Sequence, residues 1–166
     1  MRMELIQPFI NAADAVLAEA LQNPMKIGDV TMDEEAFRPR GVASLITVKG
    51  DIEGRIIFDV DTPTAAKVAS YMAGSPMPES EEVARETVCE LANMVIGNSV
   101  TLLNDQGFRF KVFPPEIHMS EEGLAGTVDT EAMVLCIDTP CGEIFINIAM
   151  HYLHRRRHEQ AAVTVD

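Results

Sequence analysis

Residues 42–60, VASLITVKGDIEGRIIFDV, are two apolar runs separated by Gly50-Asp51. Val, Ile, Thr and Phe dominate both runs, and their branched or aromatic side chains suit a pleated sheet. A Gly-Asp break between such runs is the signal of a tight hairpin. The stretch predicts antiparallel strands over 42–49 and 52–60. A sheet of this kind must bury at least one face against another layer. The next residues supply one. Asp61-Thr62-Pro63 opens a helix, with Thr62 expected at the N-cap and Pro63 at the first helical position. That helix runs through AAKVASYMAG and stops at Gly74.

The rest of the chain fits around this unit. Residues 7–22 place Phe9, Ile10, Ala13, Val16, Leu17 and Leu21 at helical spacing, and Asn23-Pro24 ends the pattern. Residues 25–31 read as a short strand, and the acidic stretch 32–40 as a loop. Ser75-Pro76-Met77-Pro78 is a linker into a long helix over about 80–104, opened by Ser80. FRFKVFPPEIHMS reads as a strand interrupted by Pro114-Pro115. A second hairpin is expected, with strands over 125–138 and 142–152. The reading is one α+β domain over 1–154, with a mostly antiparallel sheet and long helices packed on it, followed by a polar tail over 155–166. Residues 7–60 and 80–152 each hold a long helix, a strand and a hairpin, which suggests an internal pseudo-repeat.

Composition narrows the functional classes. The 166 residues carry a formal net charge of -13 and 47% hydrophobic residues. That is a globular chain with a real core. Its negative charge disfavours nucleic acid and anionic membrane surfaces, and favours a partner with positive charge at its docking site. The N-terminal run is broken by Asn11, Asp14 and Glu19, so neither a membrane span nor a signal peptide is expected and the protein reads as cytoplasmic. The three cysteines, Cys89, Cys136 and Cys141, form no CxxC. They read as reduced thiols, although Cys136 and Cys141 flank a turn and have the spacing to face each other across it.

The long helix carries the functional signal. At about 100° per residue, Glu86, Glu90, Asn93 and Gly97 fall in one stripe about 60° wide. Val88, Leu91, Val95 and Leu102 lie on the opposite side and form the expected buried face. The stripe therefore faces solvent, flanked by Met94. Helix propensity does not select these residues. Glu86 and Glu90 repel each other at this spacing, and Asn and Gly are poor helix formers. An exposed carboxylate can pair with a partner's lysine. A carboxamide is uncharged, with both donor and acceptor atoms, and can orient a water beside an anionic phosphoryl group without repelling it. Phosphoryl transfer asks mainly for positioning and electrostatic help. Gly97 leaves the stripe flat, so a partner can come close.

GDVTM, GDIEGRIIFDVDTPTAAKVASYMAG and ELANMVIGNSVTLL together resemble the CheX-type members of the CheC–CheX–FliY group of bacterial chemotaxis phosphatases. The likeness runs through nearly the whole chain in the same order of elements. The group's signature is Glu-x-x-Asn on the long helix, with Asp or Ser four residues upstream and Pro about two dozen residues downstream. Glu90-Leu91-Ala92-Asn93 matches its centre. Glu86 stands at the upstream position, a longer acid than the pattern has. Pro115 or Pro114 meets the downstream proline about one residue early. The resemblance implies hydrolysis of the aspartyl phosphate of a CheY-like response regulator. Asn93 would orient the attacking water and Glu90 would pair with the regulator's active-site lysine. Glu86, Met94, Gly97 and Pro115 would bind the partner. Magnesium would belong to the regulator, so no metal or cofactor of its own is expected. One active helix per chain and a homodimer joined through its sheets are also implied, since the first helix, INAADAVLAEAL, has no Glu-x-x-Asn.

Competing readings are a non-catalytic adaptor related to the flagellar switch, or a small-molecule binder, for which no convergent polar group is visible. His151, His154 and His158 would share a face if helical, but read better as part of a basic tail with Arg155-Arg156-Arg157. Asp51, Asp59 and Asp61 read as turn or cap acids. Neither a Gly-rich phosphate loop nor a paired Ser or Cys nucleophile is present. Ser99 and Cys89 lie to the sides of the acidic stripe.

Overall fold

The computed structural model describes residues 3–23, 26–33, 39–119 and 132–152. The expected hairpin forms as β2 (Val42–Gly50) and β3 (Ile52–Val60), paired from Val42 opposite Val60 to Val48 opposite Gly54. The Asp51 carboxylate accepts the Arg109 N–H at 2.8 Å and ties the turn to a later strand.

Helix α1 (Met3–Leu21) starts earlier than the periodicity predicted and encloses Pro8, which gives up one backbone bond inside the helix. Strand β1 (Lys26–Asp33) continues into the acidic stretch read as a loop. Helix α2 (Thr62–Ala73) is capped by Asp61 and not by Thr62, a correction of one residue. Asp61 has the extended backbone of an N-cap (φ -76°, ψ 162°), and its carboxylate accepts from Thr64 N. Gly74 ends α2 in the left-handed region at φ 72°. Helix α3 (Glu81–Asp105) follows the expected cap, Ser80.

The Pro-interrupted strand is two strands, β4 (Phe110–Val112) and β5 (Glu116–Met119), both paired to β2. Phe113–Pro115 makes the break, because a proline has no N–H to give the ladder. The second hairpin is β6 (Ala132–Thr139) with β7 (Gly142–Tyr152). Residues 125–131, expected in its first strand, lie outside the described residues, as do the tail residues 155–166.

The sheet order is β1-β6-β7-β3-β2-β4, with β5 also on β2, and every pairing is antiparallel. Each hairpin contributes its second strand to the centre, where β3 meets β7. Each lone strand element pairs with the other half's hairpin: β1 with β6, and β4 and β5 with β2.

Leu5, Phe9 and Leu17 of α1, and Val88, Leu91 and Val95 of α3, pack with Ile46, Ile56, Phe58, Ile146 and Ile148 in one core. The opposite faces of β2 and β3 bury Ala43, Leu45 and Ile57. On that side the Arg55 guanidinium donates to Asn147 Oδ1 at 2.6 Å. Asp59, fully buried, accepts the backbone N–H groups of Arg40 and Gly41. So Asp51, Asp59 and Asp61 all hold backbone amides, as turn and cap acids do. No helix among the described residues is long and apolar enough to cross a membrane.

Candidate active site on the long helix

Helix α3 is anchored at its start. Ser80 Oγ accepts the Val83 N–H at 3.1 Å, and Glu81 and Glu82 sit in the first turn, where the helix dipole favours acids. Val83, Ala84, Val88, Leu91, Ala92, Val95, Ile96 and Leu103 are buried along its length. Thr87 and Ser99 are buried too, and their hydroxyls donate to the carbonyls of Val83 and Val95. Leu102, expected in the buried face, is 40% exposed, and Leu103 takes its place. The buried face rotates along a straight helix crossing a twisted sheet, so one fixed wedge of the wheel does not describe both ends.

The stripe lies on the exposed side. Glu86, Glu90, Asn93, Met94 and Gly97 are all exposed. From Glu86 to Gly97 the helix advances about 16 Å. Glu90 and Asn93 are one turn apart, about 5–6 Å between Cβ atoms. Among the described residues, none hydrogen-bonds to the side chains of Glu86, Glu90 or Asn93. Their polar atoms are thus free for a partner. A Cβ on Gly97 would meet nothing within 4 Å. Pro115 is half-buried in the break between β4 and β5 and so comes from a different element than α3.

Other chemistry finds less support. None of the three cysteines is in a disulfide. Cys136 stands opposite Phe145 in the ladder while Cys141 is in the turn, so the two do not face each other. Burial pushes the Cys89 and Cys141 thiols up, away from the reactive thiolate. Ser99, buried and bonded to its own helix, is no nucleophile. His151 is on a strand, so the helical spacing imagined for the histidines fails there. His154 and His158 are outside the described residues. One feature escaped sequence reading. Cys136, Asp138 and Glu143 bring their donor atoms within 4.8 Å of one another. The pairing of Asp138 with Glu143 across the hairpin assembles them, and only the register could have revealed it. The Cys136 thiol donates to Glu143 Oε2 at 2.8 Å, so this group is engaged internally.

Residues 42–139 match the family model of the chemotaxis phosphatase CheX. The chain belongs to the CheX family. The match spans the hairpin, α2, α3 with its stripe, and β6. The chain is 25% identical over 118 residues to the CheY-P phosphatase CheX of Thermotoga maritima, covering 70% of this chain and 76% of that protein. Its fold is similar to CheX in the CheX-CheY-BeF3-Mg2+ complex of Borrelia burgdorferi, at 30% identity and a TM-score of 0.73, over 90% of this chain and 99% of that one. A CheC-like superfamily protein from Shewanella sp. PV-4 shares the fold at a TM-score of 0.78 and 24% identity, over 91% of this chain and 99% of that one. The expected family and the α+β fold with its antiparallel sheet are both borne out.

Proposed function

We propose that this CheX-family protein accelerates hydrolysis of the aspartyl phosphate on a CheY-like response regulator, with Asn93 and Glu90 as the acting pair. The observation that carries the reading is their placement: one turn apart, exposed and unengaged, on a helix fixed by its buried side. The Asn93 carboxamide would hold a water in line with the phosphorus. Attack of the water oxygen forms the new P–O bond as the bond to the aspartyl oxygen breaks. The aspartate leaves as carboxylate, and the water's protons end on phosphate and solvent. Glu90 would pair with a lysine of the regulator and set the helix in register. Magnesium is expected with the regulator, and this chain's part is orientation. The relatives with a CheY partner or substrate in their description support the choice of regulator class. The same reading takes the protein as a cytoplasmic homodimer, a state that sedimentation velocity would score.

The test is the decay of a phosphorylated CheY-like receiver with magnesium, alone, with the wild type, and with Asn93→Ala. Acceleration should fall by about 10²–10³-fold in the variant, the usual cost of removing one orienting group. Its melting temperature should not fall, since Asn93 is exposed and Ala is the better helix former. Normal acceleration by Asn93→Ala removes this residue from the mechanism. Binding by the wild type without acceleration makes the protein an adaptor.

A further inference from the structure

Beside the stripe, between α2 and the first half of α3, lies a groove of about 260 Å³ that opens to solvent. Met72 and Ala73 of α2 and Met77 of the connecting segment form its apolar wall, Thr87 is in its lining, and Glu86 and Glu90 border it. The Thr87 hydroxyl is already donated to Val83 O at 2.7 Å, so the lining combines hydrocarbon and thioether from Met72, Ala73, Met77 and Val83 with polar surface that includes Glu86 and Glu90. The connecting wall is held in place. The Met77 N–H donates to Ser70 Oγ at 2.9 Å, and that hydroxyl donates to Ala66 O at 2.8 Å.

Size and charge select the occupant. Sites for small molecules run from about 300 to 1,000 Å³, so this open groove is below that range and suits one side chain offered by a protein surface. Methionine walls adapt to the shape of such a side chain. The charged groups in the lining are both acids, so the chain entering beside them should be basic. Glu90 belongs both to the groove's border and to the docking stripe. Whatever fills the groove must therefore come from the same partner.

We propose that the groove is an anchoring pocket for the receiver, taking one apolar side chain that sits next to a lysine or arginine, with Glu86 pairing with that cation. The inference rests on the reading of Glu90 and Asn93 given above and adds how the receiver is selected. It also gives the longer Glu86 a role: reaching over the groove's mouth, where a shorter acid would fall back along the helix. The two like charges at Glu86 and Glu90 repel each other in the free protein. A basic partner relieves that repulsion.

Two variants test it without touching the stripe. Ala73→Phe fills the groove from an exposed helix position, and Met77→Glu places an acid in its apolar wall. Both should melt with the wild type. Steady-state hydrolysis with a phosphorylated CheY-like receiver should show KM raised about tenfold or more in each, with kcat spared, because an anchor contributes equally to ground and transition states. Asn93→Ala should show the converse, a loss of kcat. Unchanged KM in both groove variants overturns the anchor and leaves the catalytic reading standing. If the wild type accelerates no receiver, that reading fails, and a titration with a beryllofluoride-magnesium receiver decides the groove. Weaker binding by both variants upholds it; equal binding, or none by any form, overturns it.

Discussion

Replacing Gly97 with alanine should make the protein more stable and less active. Gly97 is inside α3, exposed, and outside the set of glycines with positive φ. A Cβ there meets no atom within 4 Å. The backbone therefore gains nothing from glycine and loses the usual helix-interior penalty of about 0.8–1 kcal/mol relative to alanine. For a domain of this size, 1 kcal/mol moves the melting temperature by about 2–4 °C. Gly97→Ala should thus melt about 2–4 °C above the wild type. The added methyl projects from the stripe that carries Glu90 and Asn93, into space the receiver is expected to occupy. Calorimetric melting, followed by receiver-phosphate decay across receiver concentrations, measures both effects. A melting temperature at or below the wild-type value refutes the open-space argument. A higher one with full activity at every concentration removes Gly97 from the docking face.

Glu90→Lys should weaken binding of a beryllofluoride-activated receiver by about tenfold or more, since it turns an attraction for the receiver's lysine into a repulsion; unchanged affinity in a titration sinks the ion pair. Burial raises the Asp59 carboxyl above its ordinary value of 3.8, outweighing the amides of Arg40 and Gly41 that pull it down. The folded state then binds that proton more tightly than the unfolded state, so the group's stabilisation is full below pH 3.8 and is lost as pH rises through the folded pKa. The melting difference between wild type and Asp59→Asn should shrink from about pH 3.5 to about pH 7, and a difference that widens contradicts the sign.

What the sequence disclosed was local. Gly50-Asp51 between branched runs marked β2 and β3 to within a residue, and Ser80 marked the start of α3, because turns and caps are decided by neighbours in the chain. Asp61 and Thr62 both carry capping oxygens, so only the backbone geometry could choose between them. Asp33 at the end of β1 reads as part of the acidic loop because an edge strand tolerates such an acid. The order of strands rests on pairings between residues far apart, such as Ile57 with Asn147, which periodicity does not encode. The same holds for Arg55 and Asn147. β3 and β7 are buried on both faces near their middles, so polar residues there look like surface residues until the register brings them together. The stripe was legible because it lies within one helix. The groove was not, since it exists only between two helices.

The backbone that carries the proposed pair has no moving part. Glu90 and Asn93 share one helix, and the reverse side of that helix is buried from Val83 to Leu103. Their separation cannot drift unless α3 unwinds, and α3 cannot unwind without opening the core. A site of this construction is always assembled while the protein is folded. On the proposed function it needs no conformational step to become active, so the pace of receiver dephosphorylation would be set by how many copies are present and how much phosphorylated receiver reaches them. Control passes from conformation to supply.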